Sequence, residues 1–252
     1  MNMAVGSPLA AFRGHTLADQ MAAPLMNRVD TKYLVPVRML EPCLRGLESN
    51  YTVLELDGCR RFTYDTLYFD TPERRLYLDH HNGKLNRFKL RIRHYRETGE
   101  SFLEVKKKNN RQRTVKNRVP LTPHTCADRQ VPAFLEEQLG LPVARMLPAL
   151  FVCYQRVTLK NCLGTERITL DTGLSFRSPD GEQAVNLPDV AVIEIKYHRK
   201  TPASAFAERL GALGCRPVPF SKYCVGTGLL FGHQLKTNRF KPLLRSLHGI
   251  GC

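Results

Sequence analysis

The sequence predicts an α+β fold: an antiparallel barrel or strongly curved sheet with helices packed outside. Three observations predict it. Between Arg87 and Arg93 every second residue is a cation (Arg87, Lys89, Arg91, Arg93), and the residues between them, Phe88, Leu90 and Ile92, are apolar. A strand turns successive side chains to opposite faces, so this segment carries one apolar face and one row of like charges about 6.5–7 Å apart. The same alternation recurs in several other segments. Finally, consecutive strands are separated by short turns, which only antiparallel neighbours permit.

Taken in order, residues 1–25 are small and weakly patterned and read as a flexible lead-in. Asn27 to Val35 reads as a strand, followed by a helix from Pro36 to about Ser49 with Val37, Leu40, Leu44 and Leu47 as its stripe. Arg61 to Asp70 is rich in aromatic residues and reads as a strand, and Thr71-Pro72 opens a short helix. His80 and His81 fall in a polar turn and are expected to be exposed. Leu85–Tyr95, Ser101–Asn109 and Gln112–Leu121 form a meander, with turns at Glu97–Glu100 and Asn109-Asn110. Pro132–Leu139 reads as a helix, and Ala149–Lys160, Thr165–Phe176 and Asp189–His198 as strands. Thr201-Pro202 starts a helix that Gly214 ends. Ser221 to about His233 is a final helix capped by Ser221, although Gly226, Gly228 and Gly232 weaken it. Lys236–Cys252 is basic and without pattern. No composition break splits the chain, so residues 26–235 are expected to form one domain, with 236–252 as a basic tail.

Charge narrows the function. The 252 residues hold 38 Lys and Arg against 23 Asp and Glu, a net charge of +15, which favours an acidic partner. The eight cysteines form no C-x-x-C pair, and they read as reduced thiols in a cytoplasmic protein. There is no apolar run of membrane-spanning length and no signal-peptide pattern. Absence of tryptophan, and aromatics lying mostly on apolar faces, argue against nucleic acid as the partner.

The charged positions at period two are the candidate site. They are Arg28, Asp30 and Lys32; Glu104, Lys106 and Lys108; Lys116 and Arg118; Arg156; Arg167 with Asp171; and Glu194 with Lys196. On one strand such a row is ordinarily a solvated face. Over six or seven strands, with Arg and Lys dominant, an inward-facing arrangement becomes the better account. Buried charges must be paired or neutralised, so an excess of inward cations calls for a polyanion. Glu104 and Glu194 each stand two residues before a lysine, and Mg²⁺ and Mn²⁺ bind through one or two carboxylates plus phosphate oxygens. The alternative is that each Glu only neutralises its lysines. No P-loop motif is present.

The ordered series R-V-D-T-K-Y (28–33), L-Y-F-D-T (67–71), K-L-R-I-R-H-Y (89–95), F-L-E-V-K-K-K (102–108), K-N-R (116–118), E-R-I-T-L-D (166–171), I-E-I-K (193–196) and F-S-K-Y (220–223) resembles the vacuolar transporter chaperone (VTC) domain of the triphosphate tunnel metalloenzymes. The resemblance spans about residues 27–232. It implies a closed, eight-stranded antiparallel β-barrel tunnel with a basic interior, a divalent metal (Mn²⁺ or Mg²⁺), and polyphosphate synthesis from ATP. By motif, Lys32, Arg91, Arg93, Lys106, Lys116, Arg156, Arg167 and Lys222 correspond to the family's phosphate-binding, catalytic cations. Arg28, Lys89, Lys108, Arg118 and Lys196 extend the phosphate-binding surface. Glu194 corresponds to the metal ligand, with Glu104 as a second candidate. Hydrolysis of triphosphate or a nucleoside triphosphate in the same tunnel is the neighbouring chemistry, and a non-catalytic polyanion-binding module is the alternative of another class.

Overall fold

A computed structural model describes residues 6–21, 28–110, 114–122, 130–139, 145–198 and 204–250. In chain order the elements are α1 (Gly6–Ala10), β1 (Arg13–His15), α2 (Leu17–Met21), β2 (Arg28–Pro36), a 3₁₀ turn (Val37–Met39), α3 (Leu40–Leu44), β3 (Tyr51–Leu54), β4 (Phe62–Asp70), α4 (Arg75–His81), β5 (Arg87–Tyr95), β6 (Ser101–Lys108), β7 (Thr114–Pro120) and α5 (Gln130–Leu139). There follow β8 (Leu147–Asn161), β9 (Glu166–Arg177), β10 (Ala184–Leu187), β11 (Val190–His198), α6 (Ala205–Ala212), α7 (Lys222–Phe231), a 3₁₀ turn (Asn238–Phe240) and α8 (Lys241–Ile250).

Eight strands run in one antiparallel path, β2-β11-β9-β8-β4-β5-β6-β7, as the alternation predicts. The expected closure into a barrel is not found: among the described residues no ladder joins β2 to β7. Strand β7 has the character of an edge. Thr114, Val115 and Lys116 are exposed, and Pro120 lacks the N–H that a further ladder would use.

Three apolar clusters hold the sheet's other surfaces. Tyr33, Val35, Val157, Leu159, Ile168, Leu170, Ile193 and Ile195 pack outward against α3 and α6, through Leu40, Leu44, Phe206 and Leu210. Leu90, Leu103 and Val105 pack outward against Leu76 of α4 and Leu135 of α5. The third cluster fills the inside of the curve at the Asp70 end of β4, where Leu150, Val152, Phe176, Val192 and Tyr68 surround α7. Helix α7 can lie this deep because residue 226 is glycine. A Cβ there would fall 2.3 Å from a Phe176 ring carbon and 2.8 Å from a Leu150 methyl. The glycine that weakens the helix in isolation is what lets it dock.

Several sequence expectations are corrected. The lead-in is structured over Gly6–Met21: Leu9 and Phe12 are buried in the core, and β1 pairs in parallel with β3, a strand the sequence reading omitted, as it also omitted β10. The helix expected from Pro36 to Ser49 is one 3₁₀ turn and five residues of α3, since Pro42 cannot supply an early helical hydrogen bond and Gly46 turns the chain at φ 78°. Helix α4 starts at Arg75 rather than at Thr71-Pro72. Its N-terminal amides are held by Asp70, whose Oδ1 accepts from Leu76 N at 2.7 Å and Oδ2 from Tyr77 N at 2.9 Å. His80 and His81 end this helix rather than lying in an exposed turn: His81 is buried, and burial pushes His80 down to about 2. Lys236–Cys252 has a pattern after all, because α8 places Leu243 and Leu247 in the third cluster.

Candidate phosphate-binding site

Register carries the inward row from strand to strand. Thr66 faces Arg93 and Tyr68 faces Arg91 across β4–β5; Arg91 faces Glu104 and Lys89 faces Lys106 across β5–β6; Glu104 faces Arg118 and Lys106 faces Lys116 across β6–β7. On the other side Arg156 faces Asp171, and Glu194 faces both Thr169 and Lys32. All of these residues lie on the concave face, with the apolar alternates outside.

Three ion-paired groups form there. Glu104, 1% exposed, binds Arg91 (Nη2–Oε2 2.5 Å, Nε–Oε2 2.7 Å) and Lys116, with Arg93 at 4.0 Å. Burial would raise its carboxyl, but Arg91, Arg93 and Lys116 outweigh burial and hold it at about 2. Arg156 grips Asp171 with two hydrogen bonds, 2.6 and 2.8 Å, and Lys222 from the start of α7 reaches the same carboxylate. Asp171 is likewise held at about 2, Arg156 and Lys222 overcoming its burial. Glu194 takes Lys32 at 3.4 Å and Lys196 at 2.7 Å, one on each oxygen. Its carboxyl lies well below the ordinary range: burial would raise it, but Lys196 and Lys32 prevail.

Lys106 and Lys89 tie the groups together. Among the described residues the Lys106 ammonium has neither hydrogen bond nor ion pair, and its proton affinity falls to about 7. Burial is the first cause, then repulsion from Lys89 and Lys32, against attraction from Glu194 and Asp30. A residue of β6 therefore feels β2 and β11, at the far end of the strand path, so the charged faces look at one another across the curve. Lys89 donates to Ser221 Oγ at 2.8 Å, while Ser221 also caps α7 by accepting from Cys224 N. The nine cations in these groups face four carboxylates: Asp30, Glu104, Asp171 and Glu194. The surplus is a standing demand for anions.

Four candidates lie apart from this centre. Arg167 donates to the Gln20 carbonyl at 2.6 Å, at the end of the groove away from α7. Arg118 rests over the Phe102 ring, 4.5 Å from its centroid. Lys108 faces Arg87 at the other end of the β5–β6 ladder, and Arg28 faces His198 at the start of β2. The aromatic part of the site escaped the sequence reading. Tyr64 and Tyr154 stack at 5.2 Å, with Arg156 over both rings and Lys222 over Tyr154. Tyr68 accepts from Arg91 Nη1 at 3.2 Å. Burial pushes its hydroxyl up, yet Arg91, Arg93 and Lys89 leave it below the ordinary value. The signal was available, since Tyr64 and Tyr68 alternate in phase with the cations of the next strand.

Among the described residues no three His, Cys, Asp or Glu side chains cluster as a ready-made metal cage. A cation carried by phosphate needs fewer protein ligands, one or two carboxylates. Glu194 has a second carboxylate, Asp30, diagonally across β2–β11, while Lys32 and Lys196 hold its two oxygens; Glu104 and Asp171 are likewise ion-paired to cations.

The family profile of the VTC domain matches residues 27–231, and the chain belongs to this family. Solved structures of similar shape include HpAC1 from Hippeastrum, described as a candidate adenylyl cyclase with a dominant triphosphatase activity, at 13% identity and TM-score 0.47, covering 82% of this chain and 97% of that one. A candidate adenylate cyclase from Vibrio parahaemolyticus is similar at 19% identity and TM-score 0.43, covering 76% and 88%. No curated protein matches. No helix among the described residues is long and apolar enough to cross a membrane.

Proposed function

We propose that this protein is a metal-dependent polyphosphate polymerase that moves the γ-phosphoryl group of ATP onto a growing polyphosphate chain. The observation that carries this reading is Lys106: a half-buried ammonium with neither hydrogen bond nor ion pair among the described residues, inside a curve where cations outnumber carboxylates. A linear polyanion with closely spaced charges supplies what that surface lacks.

In the reaction a terminal oxygen of the acceptor chain attacks the γ-phosphorus. The bond from that phosphorus to the β–γ bridging oxygen breaks, and its electron pair leaves on ADP. Protein groups need only position the reactants and stabilise charge. Arg91 and Arg93, oriented by Glu104, and Arg156, oriented by Asp171, present rigid guanidinium forks to the equatorial oxygens. Lys106 and Lys89 bind the flanking phosphates. Glu194 would hold Mn²⁺ or Mg²⁺ together with the phosphates, with Lys32 and Lys196 released to phosphate oxygens; the metal supplies charge neutralisation between phosphoryl groups. Glu104 serves to orient the arginines.

The test is incubation of the purified protein with ATP and Mn²⁺, with the product resolved on a polyacrylamide gel. Long polyphosphate that disappears in Arg91→Ala and Glu194→Ala is expected. Inorganic phosphate from tripolyphosphate without any polymer would replace the proposal with triphosphate hydrolysis. No turnover of either substrate, with DNA bound as tightly as polyphosphate at equal salt, would replace it with a polyanion-binding module.

A further inference from the structure

The end of the groove away from α7 carries an aromatic and cationic group that the phosphate site does not use. Phe102 stands one inward position beyond Glu104 and directly opposite Arg93. Its ring belongs to none of the three apolar clusters, although it is half-buried on the concave face. Tyr95 meets it edge-on at 5.9 Å and also leans on Tyr64 at 4.9 Å. Arg118 covers the other part of the ring at 4.5 Å. Its natural partner by register, Glu104, is already occupied by Arg91 and Lys116, and Arg118 makes no ion pair among the described residues. An exposed guanidinium laid on a half-exposed ring, at the mouth of an anion groove, is an arrangement that takes a flat π-system between or beside its parts.

We infer that Phe102, Tyr95 and Arg118 form the nucleoside subsite of the donor nucleotide. The inference rests on the proposed function and adds to it the place of the base and the direction in which the donor lies. With the base on Phe102, the phosphates run inward along β5 and β6. Glu104 and Lys106 follow at about 6.5–7 Å and 13–14 Å from Phe102 along the strand. The triphosphate then runs past Arg93 to Arg91, its γ-phosphate is the end nearest α7, and Lys106 and Lys89 lie one position beyond it, where the acceptor's phosphates bind. The subsite selects a nucleoside triphosphate over bare triphosphate through stacking, which tolerates any base.

The test compares two ligands by titration calorimetry: a non-hydrolysable ATP analogue with an imido β–γ bridge, and tripolyphosphate. In Phe102→Ala the analogue is expected to weaken roughly 5- to 150-fold, the range that loss of one base stack gives, while tripolyphosphate changes less than about twofold. Phe102→Tyr restores the analogue. Arg118→Ala, at an exposed position that cannot threaten the fold, produces the same selective loss to a smaller degree. Because the chain has no tryptophan, the fluorescence of 2-aminopurine riboside triphosphate can be read directly, and its quenching should vanish in Phe102→Ala. Equal weakening of both ligands, or of neither, overturns the subsite while leaving the phosphate site standing. Failure of wild-type protein to bind tripolyphosphate at all overturns the underlying reading instead.

Discussion

Replacing Glu104 with glutamine keeps the shape of the side chain and removes the one charge around which Arg91, Arg93 and Lys116 gather. The structure sets the size of the effect. The carboxyl falls from its ordinary 4.5 to about 2, which at 1.36 kcal/mol for each tenfold change in proton affinity is about 3 kcal/mol of stabilisation. With 1% of the residue exposed, solvent screening takes little from it. Lys116, already lowered to about 8, trims the loss by giving up its proton once its partner is gone. The expected destabilisation at pH 7 is therefore about 2–3 kcal/mol. A carboxyl depressed in the fold stabilises above its unfolded value of 4.5 and loses that contribution as pH falls through 2. The gap between wild type and Glu104→Gln should accordingly be full at pH 6–7 and close toward pH 2. Urea unfolding at a series of pH values, in low salt, measures it. Tripolyphosphate should narrow the gap by supplying the missing negative charge. A variant within about 0.5 kcal/mol of wild type at pH 7, or a gap that ignores pH, would refute the view that this carboxylate holds the cations together.

Other outcomes follow from other parts of the groove. Lys106, lowered to about 7, destabilises the free protein fully below that pH and progressively less between 7 and its ordinary 10.5; Lys106→Met should raise the thermal midpoint at pH 6 while weakening tripolyphosphate at least tenfold. For the same reason, wild-type binding of tripolyphosphate at pH 8 should take up protons, seen as a dependence of the calorimetric heat on buffer ionisation enthalpy. Gly226→Ala drives a methyl into Phe176 and Leu150 and should cost about 1–3 kcal/mol in urea unfolding. Leu247→Ala, in the last helix, should cost about 2–3 kcal/mol if α8 belongs to the core; no change would make that helix an appendage.

Alternation made the sheet legible. Phe88, Leu90 and Ile92 between cations could only be a strand with two unlike faces, the segments of β5, β6, β9 and β11 follow the same period of two nearly to their ends, and β4 shows instead as a run of aromatic residues. Where that period was missing the reading failed. Gly6–Met21 offers only Leu9 and Phe12 as anchors, too sparse to signal that the segment docks. Tyr51–Leu54 is buried on both faces and shows no alternation. The tail helix went unread because its two anchoring leucines, Leu243 and Leu247, sit among Lys, Arg, Pro and Gly. At the site, sequence proposed the cations but could not sort them. Whether Arg167 meets a phosphate or the Gln20 carbonyl, and whether Arg118 meets an anion or a ring, depends on which strand end each occupies once the sheet curves. The tyrosines stayed hidden since an aromatic in phase with cations reads as core until the neighbouring strand is placed.

Helix α7 makes the groove a cul-de-sac. Leu150, Phe176 and Tyr223 pack with α7 in one buried cluster, which closes that end among the described residues. With a nucleoside on Phe102, a rod-shaped ligand longer than the cavity would have to leave sideways beside β7, where no ladder closes the sheet among the described residues. Its length would thus be limited by what happens outside the protein rather than by the depth of the hole.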